Sequence, residues 1–317
     1  MDNPSDVARA AGRARSGPAD AAAPRAGAPS GPPAASGGAL PATQRRTIRA
    51  GRDLPAAIAV GAGMGAVVLL SLFVRKEAFV GVVVLAMVVA LHEVLEALAT
   101  RRFAVPAVPL LTGAVVMQLA AYLGGQDDLL VAFAVTVAAV VLWRVCQRAE
   151  GAVRDVAAGV FSVAYVPLLG AFAVLMVAED DGPLRIVVFV LTTIASDIGG
   201  YVFGVLWGRH PMAPSVSPKK SWEGSAGSAL FTMTAAVAGV TLLLDGPWWA
   251  GLVIGAAVTV LATVGDLSES LLKRDLGIKD MGSLLPGHGG LMDRLDSLLL
   301  VAPAVYLLLT ALVPVAA

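Results

Sequence analysis

Cysteine is nearly missing from this chain of 317 residues: Cys146 stands alone, so no intramolecular disulfide can form and no cysteine cluster can hold zinc. Cys146 itself reads as a packing residue. Histidine is scarce too, with only His92, His210 and His288, which leaves little for an imidazole metal site. Charged residues make up 15% of the chain and cancel to a formal net charge of zero, so no basic surplus points to nucleic acid. No Gly-x-x-x-x-Gly-Lys-[Ser/Thr] element occurs, which excludes a P-loop nucleotide site.

What is present is apolar. Hydrophobic residues account for 57% of the chain and mean hydropathy is +0.79, against roughly 45–50% apolar residues in an ordinary globular domain. Such a composition belongs in a membrane. Residues 1–52 depart from it, being Ala, Pro, Gly, Ser and Arg with hardly a large apolar side chain. They are expected to form a disordered cytoplasmic tail, and they lack the short apolar core of a signal peptide. In residues 53–317, about nine stretches approach the roughly 20 apolar residues that span hydrocarbon. These are Leu54 to Val74, Ala78 to Leu98, Val105 to Leu123, Leu129 to Val145, Val156 to Ala178, Leu184 to Leu206, Ser225 to Leu244, Pro247 to Gly265 and Ser297 to Val315. Helices satisfy their own backbone groups in lipid, and no connection reads as alternating strands. The expected fold is all-α, a polytopic integral membrane protein with about nine transmembrane helices and a cytoplasm-facing polar cavity.

Lysine and arginine orient it. With the tail inside, the inner connections carry Arg101, Arg102, Arg144, Arg148, Arg154, Arg209, Lys219, Lys220, Lys273, Arg274, Lys279 and Arg294, and the outer ones only Arg75, Lys76 and Arg185. The two longest connections, Trp207 to Gly224 and Leu267 to Asp296, then fall on the cytoplasmic face.

Polar residues collect in and beside them. In "TTIASDIGGYVFG", Asp197 sits inside an apolar helix, where a carboxylate costs about 2.5–3.5 kcal/mol unless it faces protein, water or an ion. "PSVSPKKSWEGSAGS" brings Ser217, Lys219, Lys220, Ser221 and Glu223 to the start of the next helix, whose free N–H groups favour an anion such as phosphate. A topology signal plus a helix cap would explain the same residues equally well. In "GDLSESLLKRDLGIKD", helical spacing puts Asp266, Glu269, Ser270 and Lys273 on one face. "LLPGHGGLMDRLDS" adds flexible glycines, Asp293 and Asp296 one turn apart, and Arg294, which can grip a phosphate with two bonds. His92, Glu93 and Glu96 could line the same cavity, but read more readily as a helix end reaching the interface beside Arg101 and Arg102. Carboxylates without cysteine suit a hard cation such as magnesium, and magnesium beside Lys and Arg suits phosphoryl or nucleotidyl transfer.

Ser270, Lys273, Arg274, Lys279, Asp280, Pro286, His288, Gly289, Gly290, Asp293, Arg294 and Asp296 stand at the spacing Ser-x-x-Lys-Arg, four residues, Lys-Asp, then Pro-x-His-Gly-Gly and Asp-Arg-x-Asp. In this the sequence resembles the phosphatidate cytidylyltransferases, or CDP-diacylglycerol synthases, most strongly over residues 197–297. "SDIGGYVFG" and "SPKKSWEG" look like the family's upstream elements, with Ser196 in place of the usual alanine and Ser221 in place of threonine. The resemblance implies transfer of CMP from CTP to phosphatidate in a multi-pass protein of the inner (plasma) membrane. It also implies magnesium on Asp266 and Asp293. Asp197, Asp296, Lys273 and Arg294 complete the expected catalytic set. Ser217, Lys219, Lys220, Ser221, Glu223, Ser270, Arg274, Lys279, His288, Gly289 and Gly290 are expected around the substrates or shaping the loop that holds them. A monovalent cation beside the magnesium and a homodimer are left open, as are two rival functions, a CTP-dependent lipid kinase and a secondary transporter.

Overall fold

The computed structural model describes residues 54–147, 150–282 and 289–314, so the expected tail, Arg148, Pro286 and His288 lie outside the described residues. Among the described residues nine α-helices follow one another: α1 (Leu54–Val74), α2 (Lys76–Thr100), α3 (Ala107–Gln147), α4 (Ala152–Val163), α5 (Leu169–Ala178), α6 (Gly182–Trp207), α7 (Trp222–Leu243), α8 (Trp248–Leu276) and α9 (Met292–Leu312). A π-helical turn at Ala164–Leu168, built around Pro167, joins α4 and α5 into one rod, Ala152–Ala178. Proline removes one backbone donor. The carbonyl of Pro167 accepts a 2.8 Å bond from buried Gln118.

Among the described residues seven helices are long and apolar enough to cross a membrane, counting that rod once. One of them, α3, contains two of the expected spans. At Gly125 the backbone leaves the helical region (φ 73°, ψ −154°), and the limbs on either side double back, so that Thr136 packs within 2.2 Å of where a Cβ on Gly113 would lie. The described side chains of α1, Gly61–Val74, form a shorter apolar stretch.

The contacts sort the helix ends into two sets. At one end Arg144 pairs with buried Asp155, Asp155 accepts the Ala104 N–H at 3.1 Å, and Arg101 reaches the carbonyls of Asp275 and Leu276. At the other, Lys76 donates to the carbonyl of Glu179, Glu77 accepts from Tyr122, and Arg185 bridges Asp181 and the carbonyl of Val313. The cation-rich connections therefore share one end of the bundle, as the spacing of spans requires. All five tryptophans are exposed, and Trp143, Trp207, Trp222, Trp248 and Trp249 stand near helix termini, where amphipathic rings mark a membrane interface. From Trp222, α7 runs 22 residues, about 33 Å at 1.5 Å per residue, before Trp248 and Trp249 begin α8.

Two readings change. Cys146 is exposed on the second limb of α3 rather than packed. The connection between α6 and α7 is not featureless: β1 (Pro211–Ala213) and β2 (Ser217–Ser221) pair antiparallel in a small hairpin, the one sheet among the described residues. Its strands are too short, and too broken by proline, to show an alternating pattern.

Within the bundle, α6 and α7 touch backbone to backbone. A Cβ on Gly199 would fall 2.4 Å from the Gly227 carbonyl oxygen, and one on Gly227 would fall 2.4 Å from Phe203. Small residues are what allow such approach where water supplies no drive for burial. Gly227→Val should therefore destabilise the folded protein by about 1–3 kcal/mol through overpacking. Gly81→Ala, inside α2 at a site with nothing within 4 Å, should leave the thermal midpoint in detergent unchanged or slightly raised.

Candidate active site

Strand β2 delivers its polar residues to the head of α7 because Ser221 is that helix's N-cap. Its backbone is extended (φ −126°, ψ 156°), and its hydroxyl oxygen accepts the Gly224 N–H at 3.1 Å. The hairpin is closed at its base by Glu223, which accepts from the backbone N–H groups of Arg209 and His210 and faces His210 Nδ1 at 2.5 Å. Glu223 is thus a clasp and does not line the cavity beside it.

That cavity has a volume of about 330 Å³ and lies between α6, α7, α8 and β2. Ser217, Lys219, Lys220 and Ser221 form one wall, and Asp197 and Asp266 face them from α6 and α8. Lys220 pairs directly with Asp266. Ser228, also in the lining, donates to the Ser196 carbonyl at 2.7 Å and so ties the two glycine-contact helices together. Six of the residues expected from the sequence meet here, drawn from one connection and two helices.

A second cluster lies at the junction of α8 and α9. A Cβ on Gly265 would fall 2.7 Å from the carbonyl oxygen of Asp296, so the helices are in backbone contact and Asp266, next in sequence, is brought beside the first turns of α9. Lys273 donates to Glu269 at 2.6 Å and to Asp293 at 2.8 Å. The other oxygen of Asp293 accepts the N–H groups of Met281 and Gly290, at 2.9 and 2.8 Å. Asp296 lies in the field of Asp266 and Glu269, and Asp266 acts in turn on Asp197. The two clusters therefore form one acidic track from α6 across α8 to α9.

Other expected residues sit around this track. Ser270 is half-buried on α8, while Arg274, Lys279 and Arg294 are exposed. Gly289 has φ +82°, and a Cβ there would stand 3.0 Å from Asp293. His92 and Glu96 form an exposed pair at 3.3 Å, one to two turns before the end of α2. Glu93 does not share that role. It is 5% exposed and accepts the N–H groups of Leu291 and Met292. Two further side chains went unassigned from sequence as site residues. Glu269 is 1% exposed, and its Oε1 has no hydrogen-bond partner among the described residues. The Tyr165 hydroxyl is likewise buried without a partner and lies in the field of Glu269, Asp296 and Asp266. The i, i+4 spacing to Lys273 hinted at Glu269; nothing local distinguished Tyr165.

Residues 55–312 match the profile of the Cytidylyltransferase family. The chain belongs to this family. A Mycobacterium leprae protein named phosphatidate cytidylyltransferase is 40% identical over 284 residues, covering 84% of this chain and 91% of its own length. One of the same name from Mycobacterium bovis is 41% identical over 285 residues, covering 86% and 92%. A third, from Synechocystis, is 36% identical over 156 residues, covering 48% and 53%. For a cytidylyltransferase, the lysines opposite the carboxylates are apt, since both nucleotide and phosphate are polyanions.

Among the described residues no three His, Cys, Asp or Glu side chains stand together as a ready metal cage. The donor chemistry nevertheless fits a hard cation, since Asp197, Asp266, Glu269, Asp293 and Asp296 all offer carboxylate oxygens. Lys273 holds two carboxylates that a low-dielectric site could not leave uncompensated. Lys273→Met should cost about 3–5 kcal/mol, the usual penalty for stranding buried charge, whereas Glu269→Gln, which leaves Lys273 its bond to Asp293, should cost less. Thermal midpoints of the two purified variants check that order.

Proposed function

We propose that the chain is a phosphatidate cytidylyltransferase, transferring CMP from CTP to phosphatidate to give CDP-diacylglycerol and pyrophosphate. The observation that carries this reading is the cavity in which Lys219 and Lys220 of β2 oppose Asp197 and Asp266. Family membership and the names of the long-matching relatives support it. An oxygen of the phosphatidate phosphate attacks the α-phosphorus of CTP, the bond from that phosphorus to the bridging oxygen breaks, and pyrophosphate leaves with the bonding electrons. The attacking group is already an anion. No protein nucleophile is needed, and the protein's task is to position the reactants and neutralise charge.

An ammonium group has three donors. Lys220 gives one to Asp266 and retains others for a phosphate, Lys219 is exposed beside it, and Arg294 has the fork that grips phosphate oxygens. Ser217 offers a hydroxyl from the same wall. Asp266 and Asp293 are the ligands we assign to magnesium, with Asp296 and Asp197 assisting directly or through water. Bound there, the cation would neutralise phosphate charge. We place the site on the cytoplasmic side of the inner membrane, a reading supported by the collection of lysines and arginines at that end, so that nucleotide arrives from water and lipid from the bilayer.

Purified protein in detergent, given CTP, phosphatidate and magnesium, should release pyrophosphate and form a CDP-lipid; release of CDP with a phosphorylated lipid would instead establish a lipid kinase. Chelation of magnesium should stop the reaction. Asp266→Asn and Asp293→Asn, recovered folded, should lose most of kcat, and a near wild-type rate in Asp293→Asn would overturn its metal role. Lys219→Ala and Lys220→Ala should raise KM for CTP or phosphatidate, and unchanged kinetics in both would remove the lysines from substrate binding.

A further inference from the structure

Glu93 is a buried carboxylate that the reaction above does not use. It projects from α2, outside the cavity lining, and its two oxygens accept the N–H groups of Leu291 at 3.0 Å and Met292 at 2.8 Å. Those amides open α9, where no intrahelical acceptor exists and where the helix dipole favours negative charge. Nothing intervenes between carboxylate and backbone: a Cβ on Gly282 would lie 2.3 Å from Glu93 Oε1, and one on Gly290 would lie 2.5 Å from Oε2. Eight residues along, Arg101 donates to the carbonyls of Leu276 at 2.8 Å and Asp275 at 3.0 Å, in the last turn of α8. The same end of α2 thus grips the closing turn of α8 and the opening turn of α9, an anion on free amides and a cation on free carbonyls.

We propose that Glu93 is a positioning residue for the cytidylyl transfer, setting the first turn of α9, and with it Asp293 and Asp296, against Lys273 and Glu269 of α8. Asp293 follows Met292 directly and Asp296 lies one turn further on, so a displaced helix start moves both carboxylates together. The proposal rests on the role assigned above to Asp293. A capping carboxylate acts on geometry rather than on substrate contact, so its loss should fall on kcat and spare KM.

In Glu93→Gln, purified with a wild-type size-exclusion profile, kcat should drop about tenfold or more, in line with losing hydrogen bonds to a charged acceptor, while KM for CTP stays within about twofold. Glu96→Gln, one turn away and exposed, should leave both constants unchanged. If Glu93→Gln does not fold, Glu93→Asp, which keeps the charge but withdraws it by one methylene, serves the same kcat test. A kcat within twofold of wild type in the folded Glu93 variant, alongside an inactive Asp293→Asn, would overturn the positioning role alone. A near wild-type Asp293→Asn would overturn the site assignment on which it depends.

Discussion

Lys273 is wedged between Glu269 and Asp293, and the working end of the molecule is organised around that contact. Carboxylates set at the margin of an apolar bundle need a counter-charge, since desolvation otherwise outweighs whatever their fields contribute. One ammonium answers two of them and in doing so joins α8 to α9. Lys220 does the same for Asp266 across the gap to β2. Part of the acidic track is consequently held by cations drawn from its own chain, Lys273 on α8 and Lys220 on β2, which place three of its carboxylates before any ligand binds.

The supports behind this arrangement are backbone groups rather than more charge. Asp293 uses one oxygen for Lys273 and the other for two amides of the adjoining loop. Glu93 answers the head of α9, Ser221 the head of α7, and Arg101 the tail of α8. Helix termini carry unsatisfied donors and acceptors, and at these three a side chain answers them.

Much of this was legible in the sequence where the signal was local or periodic. Apolar runs of membrane length gave the helices, cation counts gave the common end, and fixed spacing along α8 and α9 gave the carboxylates and Lys273. The rest required tertiary contact. Glu93 and Glu96 look alike in "HEVLEA", yet one is buried against another helix's amides and the other is exposed with His92; only the packing of α2 tells them apart. Glu223 sat among substrate-binding candidates because it adjoins the lysines, but its oxygens are taken by the hairpin's own backbone. The hairpin was hidden by its prolines, the turn in α3 by a single glycine, and Cys146 by the assumption that a small apolar residue in a long helix faces inward.

The contact of Gly199 with Gly227 bears on how a lipid can arrive. Helices α6 and α7 meet there with no side chain between them, and α7 meets α8 as closely, since a Cβ on Gly255 would fall 2.6 Å from the Met233 Cα. Neither seam is wide enough to pass an acyl chain at those levels. At those levels an acyl chain would have to stay on the outside of these helices, so the glycines that hold the cavity's walls together also close the direct way between them.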